Sequence, residues 1–341
     1  VNITNTMPEL TFNEADRDHL ERYVRPYLPE RIFDAHAHLF CHDHYAPGDL
    51  PASLLGTPAI TGIDAYRHYI NWLHPDGRTV GGLFFGLAFM GKRVANNEFV
   101  AAQMHYANTQ GFRALGQMLI SPDMDPEYVR QEVRRGGFVG LKPYHTMAQT
   151  TGPTFLAPIE AYLTEQHVKI AHEEGLSITL HMVRDRAMAD PVNQATIRRY
   201  GENYPNMQLI LAHAARGFNP WHTIEGIGSL RGLRNVWFDT SAVTEAGAFE
   251  AIVDVMGHDR LMYGTDFHVS HMRGRCIAIG DSFHWLYADE MSLNEKHTNL
   301  KPVLIGLESL RSVILAMHRL RLNDRQIEDL FYGNAARLYS F

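Results

Sequence analysis

Eight short apolar runs punctuate the chain, at 31–35, 80–89, 113–120, 138–142, 176–181, 207–213, 235–239 and 261–265. They are rich in Val, Ile, Leu and Phe and lack the polar alternation of a half-exposed strand, as strands buried on both faces should. Longer segments with helix start and stop signals lie between them. Asp125-Pro126 opens one that closes at Gly136-Gly137, a second runs over 158–175, and a third starts at Asp190-Pro191 and ends around 203–205. Weaker helical patterns cover 63–73, 98–110, 220–230 and 246–256. Eight strands each followed by a helix predict a (β/α)₈ TIM barrel, with a doubly wound parallel sheet as the alternative. Residues 1–30 form an N-terminal extension with a helix over 13–25, and 267–301 reads as a long loop after the eighth strand. Residues 302–341 carry closing helices at 309–320 and 324–339, with Asn323 and Asn334 as N-caps. The whole, 1–341, is read as a single domain.

Charge narrows the partners. Thirty-one basic and 38 acidic side chains give a net charge of −7, spread without runs, which argues against nucleic acid and anionic membranes. The longest apolar stretch, 80–90, holds three glycines and falls well short of the ~20 residues of a membrane helix. Two cysteines in 341 residues exclude a disulfide framework and fit a reducing cytoplasm. The polar start of the chain shows no signal pattern. The expected partner is a small-molecule substrate, with a homo-oligomer left open.

Twenty histidines are the anomaly. His36-Ala37-His38 ends the first strand, where alternate residues face the same way and two imidazoles can share one ion. A chain this rich in histidine produces such a pair by chance, and His42/His44 in a loop is the second example. Context separates them. The fifth strand ends at His181, the sixth at His213 and the eighth at Gly264-Thr265-Asp266, so four of eight strands present metal-type ligands where barrel active sites lie. Imidazole and carboxylate suit zinc, manganese or iron, with a position left for water. Lys142 closes the fourth strand, where an unpaired ammonium is costly to bury. Arg184 and Arg216 each follow a strand-end histidine by three residues and are candidate anion anchors. Tyr144, His145, Trp221, His268 and His271 flank the same ends.

The ordered set Asp34-Ala35-His36-Ala37-His38, Lys142, His181, His213 and Gly264-Thr265-Asp266 resembles the amidohydrolase superfamily. The closing Tyr332-Gly333-Asn334-Ala335-Ala336-Arg337-Leu338-Tyr339 resembles its amidohydrolase-related branch, which includes aminocarboxymuconate semialdehyde and resorcylate-type decarboxylases. The resemblance spans 31–340. It implies a metal-dependent barrel with His36, His38, His181 and Asp266 as ligands and one divalent ion per chain, zinc first, with manganese or iron as alternatives. His213 and Asp266 would be catalytic, and Lys142, Arg184, Arg216 and Tyr144 would bind substrate. The expected reaction is hydrolysis of a small carboxylate-bearing amide or lactone by activated water. Non-oxidative decarboxylation on the same site is the alternative, ahead of a hydratase or a non-catalytic metal-binding barrel. The chain departs from the branch after Asp266, where Phe267-His268 stands in place of the early proline of many members.

Overall fold

The buried runs form eight parallel strands: β1 (Ile32–His38), β2 (Thr79–Phe85), β3 (Arg113–Ile120), β4 (Gly140–Pro143), β5 (Ser177–Leu180), β6 (Gln208–Leu211), β7 (Val236–Asp239) and β8 (Leu261–Met262). They pair in chain order. The computed structural model describes residues 10–46, 48–88, 91–288 and 300–341. The segment beyond β8 closes the ring on β1, through Ala35 N to Tyr263 O (2.9 Å), Asp266 N to His36 O (2.8 Å) and His38 N to Phe267 O (2.9 Å). With helices around it, this is the expected (β/α)₈ barrel.

One irregularity in β1 decides what reaches the mouth. Phe33 and Ala35 belong to the inner cluster with Leu83, Phe85, Ile210, Trp237 and Met262, whereas Ala37 packs in the outer layer. Between Asp34 and Ala37 the register against β2 slips by one residue, Asp34 facing Gly82 and Ala37 facing Phe84. This bulge changes the parity of the strand. Asp34, between the inward Phe33 and Ala35, faces outward and meets Tyr66 on the following helix, which donates to its Oδ2 at 2.9 Å. Gly264 permits the close approach of β1 here, since a Cβ on it would lie 2.9 Å from His36 Cβ.

The other end of the barrel is plugged by the C-terminal helices. Ala335 joins the inner cluster, with Tyr332, Leu338 and Phe341 packed against it, and Gln117, Ser177 and Tyr339 form a hydrogen-bonded polar layer. Asn323 caps its helix as expected, with Gln326 completing a capping box. Asn334 does not cap. It lies inside the closing helical run, and its amide donates to His258 O (2.8 Å) and Leu261 O (2.7 Å), tying the tail to the start of β8.

The segment after β8 departs from the expected loop. Within 267–301 the chain forms an antiparallel hairpin, β9 (Gly274–Ile279) and β10 (Ser282–Tyr287), joined by the two-residue turn Gly280-Asp281. Glycine with φ +56° at the first turn position is what such a tight connection favours. Residues 289–299 of this segment, 1–9 of the N-terminal extension and 89–90 at the end of the second apolar run lie outside the described residues. Among the described residues no helix is long and apolar enough to cross a membrane.

Phe33 is 1% exposed in the inner cluster. Phe33→Ala should lower the unfolding free energy by about 3–5 kcal/mol in urea titration; a loss under about 1 kcal/mol would contradict this account of the barrel core.

Candidate active site

Strand ends bring the chemistry together. His36 and His38 close β1, Lys142 lies in β4, His181 follows β5, Asp239 closes β7, and Asp266 stands in the segment after β8. His36 Nδ1 donates to Asp239 Oδ2 at 2.9 Å, and His38 Nδ1 to the Gly86 carbonyl at 3.0 Å. Burial holds both imidazoles below their ordinary pKa, His36 at about 3, so each Nε2 keeps a lone pair. Both lone pairs face one oxygen: His38 Nε2 is 3.0 Å and His36 Nε2 3.6 Å from Asp266 Oδ1. His36 Nε2 is buried and, among the described residues, has no hydrogen-bond partner. Three acceptor atoms thus converge within 4.8 Å of one another. A proton on His38 would answer one of these contacts; a divalent cation answers all of them, and nitrogen and oxygen donors suit zinc, manganese or iron.

His36, His213 and Asp239 form a second group within the same distance, but it already has its protons. Asp239 accepts from His36 Nδ1, from the main-chain N–H groups of His213 (2.9 Å) and Ser241 (3.1 Å), and from the Ser241 hydroxyl. These donors and the nearby imidazoles outweigh burial and hold its carboxyl well below the usual range. A saturated acceptor has no need of a cation.

His213 is not on the sixth strand as expected. β6 stops at Leu211, and His213 to Arg216 form a left-handed turn with φ between 52° and 59°. For L-residues that conformation costs roughly 1–2 kcal/mol each. It is held by the His213 N–H on Asp239, by Gly217 N on His213 O (2.6 Å) and by the Thr223 hydroxyl on Ala214 O (3.0 Å). The turn aims His213 across the mouth. Its Nδ1 donates to Ser241 O (3.0 Å), and its Nε2 accepts from His181 Nδ1 (3.3 Å). His181 therefore sits beside His213 rather than within the converging set of His36, His38 and Asp266. Phe218 stacks on His213 with ring centroids 5.3 Å apart, and Phe283 and Trp285 of the hairpin pack on Phe218, so β9 and β10 roof this side.

The expected anion anchors divide. Arg184 is committed, to Asp190 Oδ2 at 2.9 Å and to Leu156 O at 3.0 Å. Arg216 donates to Arg184 O (3.0 Å) and lies 5.2 Å over the Phe283 ring, with burial lowering its pKa. Lys142 is wholly buried, and among the described residues its Nζ has no hydrogen-bond partner. It lies 4.4 Å from the centre of the Phe85 ring and 4.9 Å from that of Tyr144. Tyr144 thus contributes its ring, its hydroxyl reaching Gly86 O at 3.4 Å. Of the flanking residues, Trp221 is 60% exposed and His271 is held by Tyr69 O and Ser270, while His268 is buried with neither ring nitrogen hydrogen-bonded among the described residues. His42 and His44 pair with Thr57 and Asn96. Asp239 and Ser241 were not singled out from sequence, although Asp239 ends a buried strand just as His181 does.

A family model described as amidohydrolase matches residues 33–341. The chain belongs to the amidohydrolase family. No curated protein sequence matches. Among solved structures of this fold, the family member resembles a probable 2-pyrone-4,6-dicarboxylic acid hydrolase from Acinetobacter baumannii with citric acid bound (14% identity, TM-score 0.57, 91% of this chain and 100% of that one). It also resembles an amidohydrolase from Burkholderia multivorans with bound zinc (14%, 0.56, 91% and 99%). A third is a dihydroxybenzoic acid decarboxylase from a Polaromonas species with manganese and 2-nitroresorcinol (14%, 0.56, 92% and 97%). At such identity the shared property is the fold.

Burial brings the Lys142 ammonium down to about 8 from its ordinary 10.5, against the pull of Asp239 and Asp266. Below pH 8 the folded protein carries the full desolvation cost; between 8 and 10.5 it sheds its proton before the unfolded chain does, and stability rises. Lys142→Met should therefore raise the unfolding midpoint of metal-free protein at pH 7, with the advantage fading as pH climbs from 8 to 10.5. A destabilised variant at pH 7 would contradict the reading of Lys142 as a cation whose burial costs more than its neighbours offset.

Proposed function

We propose that this protein is a metal-dependent hydrolase of small carboxylate-bearing amides or lactones. The observation that carries the reading is the convergence of His36 Nε2, His38 Nε2 and Asp266 Oδ1 with no proton shared among them all, beside the unpartnered Lys142 ammonium. His36, His38 and Asp266 would hold the ion, with His181 joining them once released from His213. When bound, a divalent ion polarises a substrate oxygen and makes water more acidic. Asp266 orients the attacking water and accepts its proton. His213 presents Nε2, the nitrogen that Ser241 does not occupy, as the atom that takes up a proton and passes it to the leaving group. Lys142 and Arg216 receive the substrate carboxylate, one unpartnered and the other packed on a ring. The hydrophobic roof of Phe218, Phe283 and Trp285 limits bulk water at His213.

Zinc is the first choice of ion, one per chain, with manganese or iron as alternatives; the zinc and manganese in the two similar structures support a divalent metal. The site works within one domain, on a small molecule rather than on nucleic acid or a membrane. Two free cysteines, Cys41 and Cys276, support a cytoplasmic location. Decarboxylation remains the second reading, favoured by the likeness to the dihydroxybenzoic acid decarboxylase.

Two experiments test the proposal. His36→Ala and His38→Ala should each lose the single divalent ion measured by elemental analysis, whereas His213→Asn should keep it and lower kcat by about 10²–10⁴-fold; full metal in the His36/His38 double variant would overturn the ligand set. A panel of carboxylated lactones, cyclic amides and hydroxylated aromatic acids in ¹⁸O-water should yield a product carrying one ¹⁸O without release of CO₂. Release of CO₂ without ¹⁸O incorporation would replace hydrolysis by decarboxylation.

A further inference from the structure

Two histidines with different proposed tasks share one anchor. His36 Nδ1 lies 2.9 Å from Asp239 Oδ2 and 3.2 Å from the Ser241 hydroxyl. His213 Nδ1 lies 2.9 Å from the same hydroxyl and 3.0 Å from the Ser241 carbonyl. The hydroxyl itself donates to Asp239 Oδ1. Asp239 and Ser241 are both fully buried, as is His36 within 1%. Four protons in this network point towards one carboxylate: the Ser241 hydroxyl, the two main-chain N–H groups and the His36 ring N–H all end on Asp239, while the His213 ring N–H ends on Ser241.

That polarity has a consequence for both rings. A neutral imidazole carries one N–H, and the nitrogen that bears it is fixed by the acceptor it finds. His36 meets an anion at Nδ1, so its Nε2 lone pair is turned to Asp266. His213 meets a carbonyl and a hydroxyl oxygen at Nδ1, so its Nε2 is turned to His181 and the mouth. We propose that Asp239 and Ser241 are positioning residues that set the tautomer and ring orientation of His36 and His213 together, readying one for a metal ion and the other for proton transfer. The inference deepens the proposed function at the same site. It rests on that reading for the roles of the two histidines but not for their tautomers.

Outer partners of a metal-binding histidine typically change metal affinity by 10–100-fold. Asp239→Asn keeps the shape and loses the charge, Ser241→Ala loses the bridging hydroxyl, and Ser241→Thr keeps it. Metal-free protein labelled with ¹⁵N-histidine, with resonances assigned by His36→Gln and His213→Asn, reads the tautomers directly. The wild type should show both rings protonated at Nδ1. Asp239→Asn should shift His36 towards Nε2–H and weaken Zn²⁺ binding, measured by chelator competition, about 10–100-fold. Ser241→Ala should shift the Nδ1 signals of both rings, and Ser241→Thr should restore them. Wild-type-like tautomers in folded Asp239→Asn and Ser241→Ala would overturn the proposal. Should Asp239→Asn fail to fold, Ser241→Ala against Ser241→Thr decides alone. A wild type that binds no Zn²⁺ while its tautomers respond as stated would sink the metal reading and leave the positioning role standing.

Discussion

Three acceptor atoms facing one another in a buried site are unstable without positive charge among them, and much of the barrel mouth is arranged around that fact. His36 Nε2, His38 Nε2 and Asp266 Oδ1 are brought together by main-chain bonds that close the barrel between β1 and the segment after β8. Each imidazole has its own proton drawn to the far side, by Asp239 for His36 and by Gly86 for His38. What faces inward is therefore a set of lone pairs. Leaving polar atoms buried without partners is costly, and proteins keep such sites where a ligand supplies the missing interaction.

The departures from regular structure serve the same mouth. The bulge in β1 changes which side chains face inward, after Phe33 and Ala35 have filled the barrel core. Asp34, alternating with the inward Phe33 and Ala35, lies outside that core, where it accepts from Tyr66, Thr265 and the His36 N–H; burial still pushes its carboxyl up to about 6. The left-handed turn at 213–216 spends backbone stability to swing His213 and Arg216 over the opening, with Asp239 as its anchor. Lys142, held between aromatic rings with no hydrogen-bond partner at its ammonium among the described residues, adds a further local cost. Strain and unpaired polarity at one end of a well-packed barrel are what a site retained for binding looks like.

The barrel was readable from the chain because buried parallel strands leave continuous apolar runs, and β1 to β8 fall within or beside those predicted. The hairpin at 274–287 was missed even though Gly280-Asp281 lies between two β-rich stretches; its partly buried strands lack the apolar continuity that marked the others. Asn334 looked like a cap because Asn favours that position, but its amide is used across the fold, on His258 and Leu261. At the site, His36 and His38 were legible from a strand end and Asp266 from the end of the last apolar run, although β8 itself stops at Met262. The pairing of His181 with His213, and the commitment of Arg184 to Asp190, were not, because each depends on loop paths that spacing does not encode. Asp239 carried the same strand-end signal as the histidines, but its role appears only when the partners of Ser241 are known.

The most direct test of the central claim is anomalous diffraction at the zinc edge from crystals grown with Zn²⁺. The account predicts a single strong peak bonded to His36 Nε2, His38 Nε2 and an Asp266 oxygen, with Asp239 still bound to His36 Nδ1. A peak elsewhere, or two peaks, would contradict it.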